Sequence, residues 1–173
     1  MENALRIFYE AMNDKAAELG MKNSNFATSH GGIHLQDNYS SAHDIAILSG
    51  YAMKNYNFLR EVCNTKTFTV KSKFSRNFEY KWENTNSLLW DPSQAYFGVK
   101  TGITNQAGPC LCVNYKSDQF DIIAVVLHCK TREARFSEIP KLIKWAISKI
   151  MKINNIKMDA GLKIRLLRNM AHV

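Results

Sequence analysis

One almost uninterrupted run of apolar residues, Phe120–Leu127, most constrains how this chain can fold. A strand of this composition is typical of a sheet that is covered on both faces. A second apolar stretch, Cys110–Tyr115, is connected to it through Ser117-Asp118-Gln119, which is short enough for a hairpin. The two stretches therefore predict antiparallel neighbouring strands, at 110–115 and at 120–129.

Helical periodicity predicts the elements that would flank this sheet. Apolar residues at steps of three and four predict a helix over 4–19, which Gly20 ends. A helix over 132–152 is also predicted, and Pro140 inside it predicts a kink or a later start near Ile139. Another helix begins at Ser40 or Ser41, whose hydroxyl can cap it, with Asp44 in its first turn. Its predicted buried residues are Ile45, Leu48, Tyr51 and Ala52.

Two more strands are predicted before the apolar run, at 65–70 and at 99–102. The segment 72–82 is polar and aromatic without a clean period, and 84–87 predicts a turn. Together these elements predict an α/β (α+β) domain with an antiparallel sheet of about three strands and flanking helices. We assign residues 1–155 to this domain and residues 156–173 to a basic C-terminal tail or helix.

Composition limits the function classes. The 173 residues, 46% of them hydrophobic, can bury one ordinary core. A formal charge of +8, spread along the chain, indicates an acidic neighbour, surface or polymer, but no nucleic-acid recognition motif accompanies it. The sequence contains no run of about 18 apolar residues, so no transmembrane segment is predicted. No signal peptide is predicted either, because the first residues carry an acid and lack an apolar block.

The four cysteines do not predict a metal site. They lie in apolar runs without Cys-x-x-Cys spacing, which favours small buried hydrophobic residues over metal ligands or disulfides. Cys110 and Cys112 would share one face of a strand, which leaves a paired thiol role open. No metal or other cofactor is predicted.

Several segments of the chain follow one another in an order that is specific for one protein family. They are Leu19-Gly20-Met21-Lys22-Asn23, His30-Gly31, Tyr39–Ala46, Asn86-Ser87-Leu88-Leu89, and Lys100-Thr101-Gly102 with Ala107-Gly108. In this order and spacing they resemble the D-alanyl-D-alanine carboxypeptidases, the low-molecular-mass penicillin-binding proteins of the serine β-lactamase/transpeptidase-like superfamily. The resemblance runs from about Glu2 to about Ile150 and covers the C-terminal part of that family's catalytic domain.

The resemblance implies a partial β-lactamase/transpeptidase-like domain whose Lys-Thr-Gly strand holds the substrate. It implies that Lys100 is the electrostatic anchor and that Thr101 donates a hydrogen bond to the substrate carboxylate. It further implies that Gly102 lets the substrate backbone approach and that the Ile103 N–H is an oxyanion donor. The ligand implied is a D-Ala-D-Ala peptide or a β-lactam.

The family's other two catalytic elements do not follow this pattern here. The sequence contains no Ser-x-x-Lys, and in the family this nucleophile element and Ser-x-Asn precede the segment that resembles residues 3–21. Ser75-Arg76-Asn77 fits Ser-x-Asn literally but stands at the wrong place in the order. Phe97 replaces a usual acidic residue, and Pro109 is inserted at the start of a strand. We therefore predict no catalytic residue in this chain.

Three other polar residues are predicted to be structural. His30 and His43 have no nucleophile and carboxylate partners in sequence, so we interpret them as turn and helix-surface residues. Asp44 is interpreted as a stabiliser of the first turn of its helix.

Two hypotheses for function follow, and a third is weaker. The first is a non-catalytic structural or interaction subunit of a larger hetero-oligomeric assembly, inactive alone. Its three strands would expose an open edge and an uncovered apolar face, which one or more other protein chains cover. The second is the C-terminal part of a split carboxypeptidase that a partner chain completes. The third is a free module that binds muropeptides without cutting them. The family works outside the cytoplasm in bacteria, and an organelle such as the mitochondrion would suit a eukaryotic source.

Overall fold

The computed structural model describes residues 2–32, 38–74 and 78–153. The helices are α1 (Glu2–Glu18), α2 (Ala42–Asn55), α3 (Asn57–Asn64) and α4 (Ala134–Ile153), with a short 3-10 helix at Ser87–Trp90. The strands are β1 (Thr67–Lys71), β2 (Glu79–Glu83), β3 (Tyr96–Thr104), β4 (Gly108–Lys116) and β5 (Asp121–Val126). The predicted tail and the Ser-x-Asn match at 75–77 lie outside the described residues.

A three-stranded antiparallel sheet with the order β3-β4-β5 forms the centre of the fold and confirms the predicted fold class. β4 is the middle strand, and its segment from Leu111 to Tyr115 is buried. β3 is longer than predicted because it begins at Tyr96, three residues before the expected start at Val99.

Helix α4 covers one face of this sheet and builds the core. Residues four apart on α4, from Ile139 through Ile143 and Ile147 to Met151, pack with Leu111 and other buried residues of the strands. The helix begins at Ala134, so the later start near Ile139 is wrong, and Pro140 lies buried within it.

Helix α2 covers the other face, so the predicted uncovered apolar face is not found. The thiol of Cys112 on β4 donates to the Ser49 hydroxyl of α2 at 3.1 Å. The buried residues of α2 are Asp44, Ser49 and Met53. The side of α2 that contacts the sheet is therefore the one that carries Ser49. For this reason the residues predicted to be buried there are only half-buried, namely Ile45, Leu48, Tyr51 and Ala52.

Asp44 links the start of α2 to the loop before it. The predicted cap is confirmed, since the Ser41 hydroxyl accepts a hydrogen bond from the Asp44 N–H at 3.1 Å. The carboxylate itself is 1% exposed and accepts from the Asn23 N–H at 2.7 Å and the Ser24 hydroxyl at 2.8 Å. Asp44 therefore stabilises the loop as well as the first helical turn.

Helix α3, strand β2 and the pairing of β2 with β1 were not predicted from the sequence. Together β1 and β2 form an antiparallel hairpin in which all ten residues are exposed. One face of this hairpin is aromatic, with Phe68 opposite Trp82 and Val70 opposite Tyr80. Such a face is a large apolar surface for a protein of this size.

None of the helices in the described part of the chain has the length and apolar character needed to span a bilayer.

The packing of α4 predicts a large difference between two isoleucines. Ile143, 3% exposed, should lose about 2–5 kcal/mol of unfolding free energy on Ile143→Ala, because truncation leaves a cavity against the sheet. Ile7 on α1 is 56% exposed, so Ile7→Ala should lose about 0.5 kcal/mol or less. Urea unfolding of the purified chain measures both. Equal losses would contradict the core described above.

The Asp44 network predicts an acid-sensitive stability. Burial raises the pKa of Asp44, but hydrogen bonds from Ser24, the Asn23 N–H and other donors lower it further, and the resulting pKa lies below the ordinary 3.8. The ionised group thus stabilises the fold above pH 3.8, and this stability is lost as the pH falls through the folded-state pKa. Asp44→Asn should be less stable at pH 7, with a flatter decline in acid.

Urea midpoints measured from pH 7 to pH 2 test this, with Asp14→Asn on the exposed side of α1 as the control. A curve for Asp44→Asn that parallels the unsubstituted chain would count against the role given to the carboxylate.

Candidate functional site

The Lys-Thr-Gly sequence lies on β3, which is one of the two outer strands of the three-stranded sheet within the described residues. Lys100 is exposed on the face that α2 covers, and its ammonium donates to the Thr101 carbonyl. The Thr101 side chain points to the other face, where it is buried and its hydroxyl lies 2.6 Å from that of Thr85. Gly102 is exposed, and a Cβ added there would meet nothing within 4 Å.

Two asparagine side chains hold the start of this strand at Gly98. The Gly98 N–H donates to Asn64 Oδ1 at 2.6 Å, and the Gly98 carbonyl accepts from Asn86 Nδ2 at 2.6 Å. Gly98 has a positive φ of 40°, and an added Cβ would lie 3.0 Å from the Cβ of Cys63. Only glycine fits this position, where the β3–β4 register shifts just before Lys100.

The backbone of Ile103 faces the open edge of β3. Its register partner is Pro109, which has no N–H and whose carbonyl accepts from the Cys129 N–H at 2.9 Å on the side of β5. Ile103 and Pro109 therefore form a pair without ladder hydrogen bonds. The Ile103 N–H points away from β4, which is the direction that an oxyanion donor on this strand requires.

A buried arginine lies beside the same strand. Arg135 in the first turn of α4 is 8% exposed, and its Nη1 lies 3.5 Å from the Gly102 and Cys110 carbonyl oxygens. Its Nε is buried and has no hydrogen-bond partner among the described residues. The guanidinium thus adds a buried positive charge beside Gly102.

Two of the thiols beside this strand, those of Cys112 and Cys63, are not activated nucleophiles. Burial raises the pKa of Cys112 to about 11, and the hydrogen bond to Ser49 offsets only part of this effect. Burial also raises the pKa of Cys63, although the positive charge of Lys100 opposes it. Both groups are protonated at pH 7. All four cysteines are free, and no metal-binding cluster occurs among the residues described.

The histidines that we interpreted as structural lie in exposed positions. The His30 ring accepts from the Gly32 N–H at 2.9 Å in a local turn. His43 is exposed on the first turn of α2, with its ring 3.4 Å from the Asp44 carboxylate. These contacts agree with turn and helix-surface roles.

Comparison with known proteins identifies the family of this chain. Residues 4–131 match the family model described as D-alanyl-D-alanine carboxypeptidase. The chain belongs to the D-alanyl-D-alanine carboxypeptidase family. This result confirms the resemblance read from the sequence.

Individual members of this family show the extent of the match. D-alanyl-D-alanine carboxypeptidase DacA of Haemophilus influenzae is 34% identical over 142 residues, which are 82% of this chain and 34% of that protein. A mutant of the Streptomyces K15 DD-transpeptidase aligns with a TM-score of 0.73 at 33% identity, covering 83% of this chain and 55% of the other. Penicillin-binding protein D2 of Listeria monocytogenes, in a cefotaxime-bound form, aligns with a TM-score of 0.68 at 29% identity, covering 79% and 53%.

The chain therefore spans about a third of the length of the matching carboxypeptidase and about half of the solved chains. The fold is shared with the Streptomyces K15 DD-transpeptidase over 83% of this chain.

Sequence reasoning missed three residues beside the Lys-Thr-Gly strand of this family member: Thr85, Asn86 and Arg135. Arg135 had a readable signal, since it stands four residues before Ile139 on the apolar side of the predicted helix. A charged residue in that position indicates a buried, functional or paired group. The roles of Thr85 and Asn86 had no such signal, because both lie in a turn whose contacts are distant in sequence.

The two asparagines at Gly98 predict losses of different size for the same change. Asn64→Asp keeps the oxygen that accepts from the Gly98 N–H, whereas Asn86→Asp replaces the donor to the Gly98 carbonyl by an acceptor. Asn86→Asp should therefore lose about 1–3 kcal/mol of unfolding free energy, and Asn64→Asp should lose less. Chemical denaturation of both variants measures the difference. Equal losses would contradict the assigned donor and acceptor.

Proposed function

We propose that this chain is a non-catalytic member of the D-alanyl-D-alanine carboxypeptidase family that serves as a structural or interaction subunit of a larger assembly. The observation that carries the proposal is strand β5, an outer strand of the described sheet that nevertheless lies between helix α4 and helix α2. Acylation in this family requires a serine nucleophile, and deleting the nucleophile in a comparable serine enzyme costs about 10⁶ in turnover. The experiment below therefore asks whether any polypeptide of the assembly carries such a serine.

The layering of the fold supports a partner polypeptide at β5. Helix α4 packs on β5 and β4 from one face, and α2 packs mainly on β5 from the other. β5 thus lies in the middle of the helical layers, yet it is an outer strand of the described sheet. Four of its aliphatic residues are only half-buried: Ile122, Ile123, Val125 and Val126. A strand added by another polypeptide would complete the sheet where the helices already extend.

Hydrogen-bond alternation defines the donors at that edge. The Ser117 N–H donates to the Phe120 carbonyl across the turn. Because hydrogen-bonded and non-hydrogen-bonded pairs alternate along antiparallel strands, the other odd-numbered residues of β4 also bond to β5. Ala124 is therefore bonded to β4, whereas the N–H groups of Ile123 and Val125 point outward. These outward donors are the groups that an added strand would pair.

The exposed apolar surface of α1 supports the same proposal. Leu5 and Phe8, which lie about 60° apart around the helix, are each about half exposed. Neighbouring exposed apolar side chains of this kind are typical of surfaces that another protein covers.

The Lys-Thr-Gly strand would then keep the groups that bind a ligand, here called the binding wall, without a nucleophile that cleaves it. The wall offers the Lys100 ammonium, the outward Ile103 N–H, the unobstructed approach at Gly102 and the buried Arg135 guanidinium. These groups suit the terminal carboxylate of a D-Ala-D-Ala peptide or a β-lactam. The Thr101 hydroxyl bonds to Thr85, so it would have to exchange partners to contact such a ligand.

A second candidate is the C-terminal part of a split serine-type D-Ala-D-Ala carboxypeptidase, in which a partner chain supplies Ser-x-x-Lys and hydrolysis of peptidoglycan-type peptides is restored. The outward direction of the Ile103 N–H supports it, because this donor could also stabilise the oxyanion of a reacting carbonyl placed against β3. Both candidates place another polypeptide against this chain, and they differ in whether that polypeptide carries a serine.

Labelling with a fluorescent penicillin separates the two candidates. The complex that contains this chain should be purified from its source under native conditions, labelled, and resolved on a denaturing gel. A non-catalytic subunit predicts no covalent label on any polypeptide of the complex. A label on a partner polypeptide that Lys100→Ala abolishes would establish the split enzyme instead.

An intact serine-type carboxypeptidase of this family, labelled in parallel, shows that the probe is active. A covalent adduct on this chain itself would contradict both candidates.

A further inference from the structure

We propose that the solvent-facing side of α4 is a docking surface for an anionic lipid bilayer. This surface, the basic α4 face, consists of Lys141, Trp145, Lys149 and Lys152, all of which are exposed. It lies on the side of α4 opposite the core, so the inference is independent of the Lys-Thr-Gly strand and of the partner proposed at β5.

Helical geometry gathers these residues into one stripe. Steps of 100° per residue place Lys141, Lys149 and Lys152 within about 40° of Trp145. The opposite side of the helix carries the buried core residues, which prevents the helix from rotating the stripe inward. From Lys141 to Lys152 the stripe is about 16 Å long.

The stripe is predominantly positive. Three lysines share it with a single carboxylate, Glu138, which lies at its start and is bonded to Lys141 at 2.8 Å. The net charge of the stripe is therefore 3 − 1 = +2, against +8 for the whole chain. A surface of this kind attracts an extended negative charge.

Trp145 favours a lipid surface over an acidic protein. Its side chain is 59% exposed in the middle of the lysines, and the Lys149 ammonium lies 5.9 Å from the ring centroid. An indole prefers the boundary between headgroups and hydrocarbon, while lysine stems let the ammonium groups reach the headgroups beside it. A convex helix face with these residues matches a deformable planar surface, whereas a protein partner would need a groove shaped to it.

Co-sedimentation with vesicles tests the proposal. The full 173-residue chain is mixed with vesicles of phosphatidylcholine alone or with about one-third phosphatidylglycerol, at low salt. We expect binding that requires the anionic lipid, and the triple variant Lys141→Gln, Lys149→Gln, Lys152→Gln should reduce the partition coefficient about tenfold or more. Raising the salt should weaken binding in parallel, because ions screen the lysines.

The matched control replaces three lysines elsewhere, Lys22→Gln, Lys54→Gln and Lys130→Gln, which are also exposed and change the net charge equally. This control should change binding by less than about twofold. An equal loss in both triple variants would overturn the proposal, because net charge alone would then explain binding. Unchanged binding of the α4 variant, or equal binding to neutral vesicles, would overturn it as well.

Tryptophan fluorescence provides a second readout that does not depend on the lysine variants. In a chain with Trp82→Phe and Trp90→Phe, Trp145 is the remaining tryptophan, and its emission should shift to the blue on adding the anionic vesicles. An unchanged emission while the protein is bound would mean that another surface contacts the lipid. A shift produced equally by poly-L-glutamate would identify an acidic polypeptide as the partner and overturn the lipid proposal.

Discussion

The apolar layer shared by β4 and α4 is the interaction on which the rest of this structure depends. Leu111 and Val113 of β4, and Ile139 and Ile143 of α4, are at most 3% exposed and form its centre. β4 in turn positions the strands on both sides through its ladders. One of these strands, β3, carries the candidate binding groups, and the other, β5, carries an edge that pairs with no strand in the described part of the chain. The binding wall and the proposed interface are therefore rigidly connected through one strand.

We propose that the groups beside β3 serve binding rather than bond cleavage. The Ile103 N–H and the buried Arg135 are donors along the strand, while Asn64 and Asn86 hold its backbone at Gly98. Among the described residues, the thiols of Cys63 and Cys112 are protonated at neutral pH and are therefore not activated nucleophiles. Preorganised donors of this kind can hold a carboxylate or a developing oxyanion, but a bond is broken only if a nucleophile comes from outside the described residues.

Periodicity predicted those elements whose buried side is apolar. The strand at Cys110–Tyr115 and the helix that carries Ile139 could be read in this way because burial imposes period two or 3.6 on the sequence. β2 was missed because the segment 72–82 joins a turn to a strand whose two faces are both exposed. Arg135 was missed because a search for apolar positions passes over a buried cation, and its contact with Gly102 depends on the tertiary fold.

Backbone amide hydrogen exchange at β5 tests the central claim most directly, namely that another polypeptide completes this sheet. The exchange of the Ile123 and Val125 amides should be measured by NMR, or by mass spectrometry with residue resolution, in the isolated chain and in the natively purified complex. The account predicts rapid exchange in the isolated chain, next to a slower Ala124, and strong protection in the complex. Rapid exchange in both states, or protection equal to that of Ala124 in the isolated chain, would contradict it.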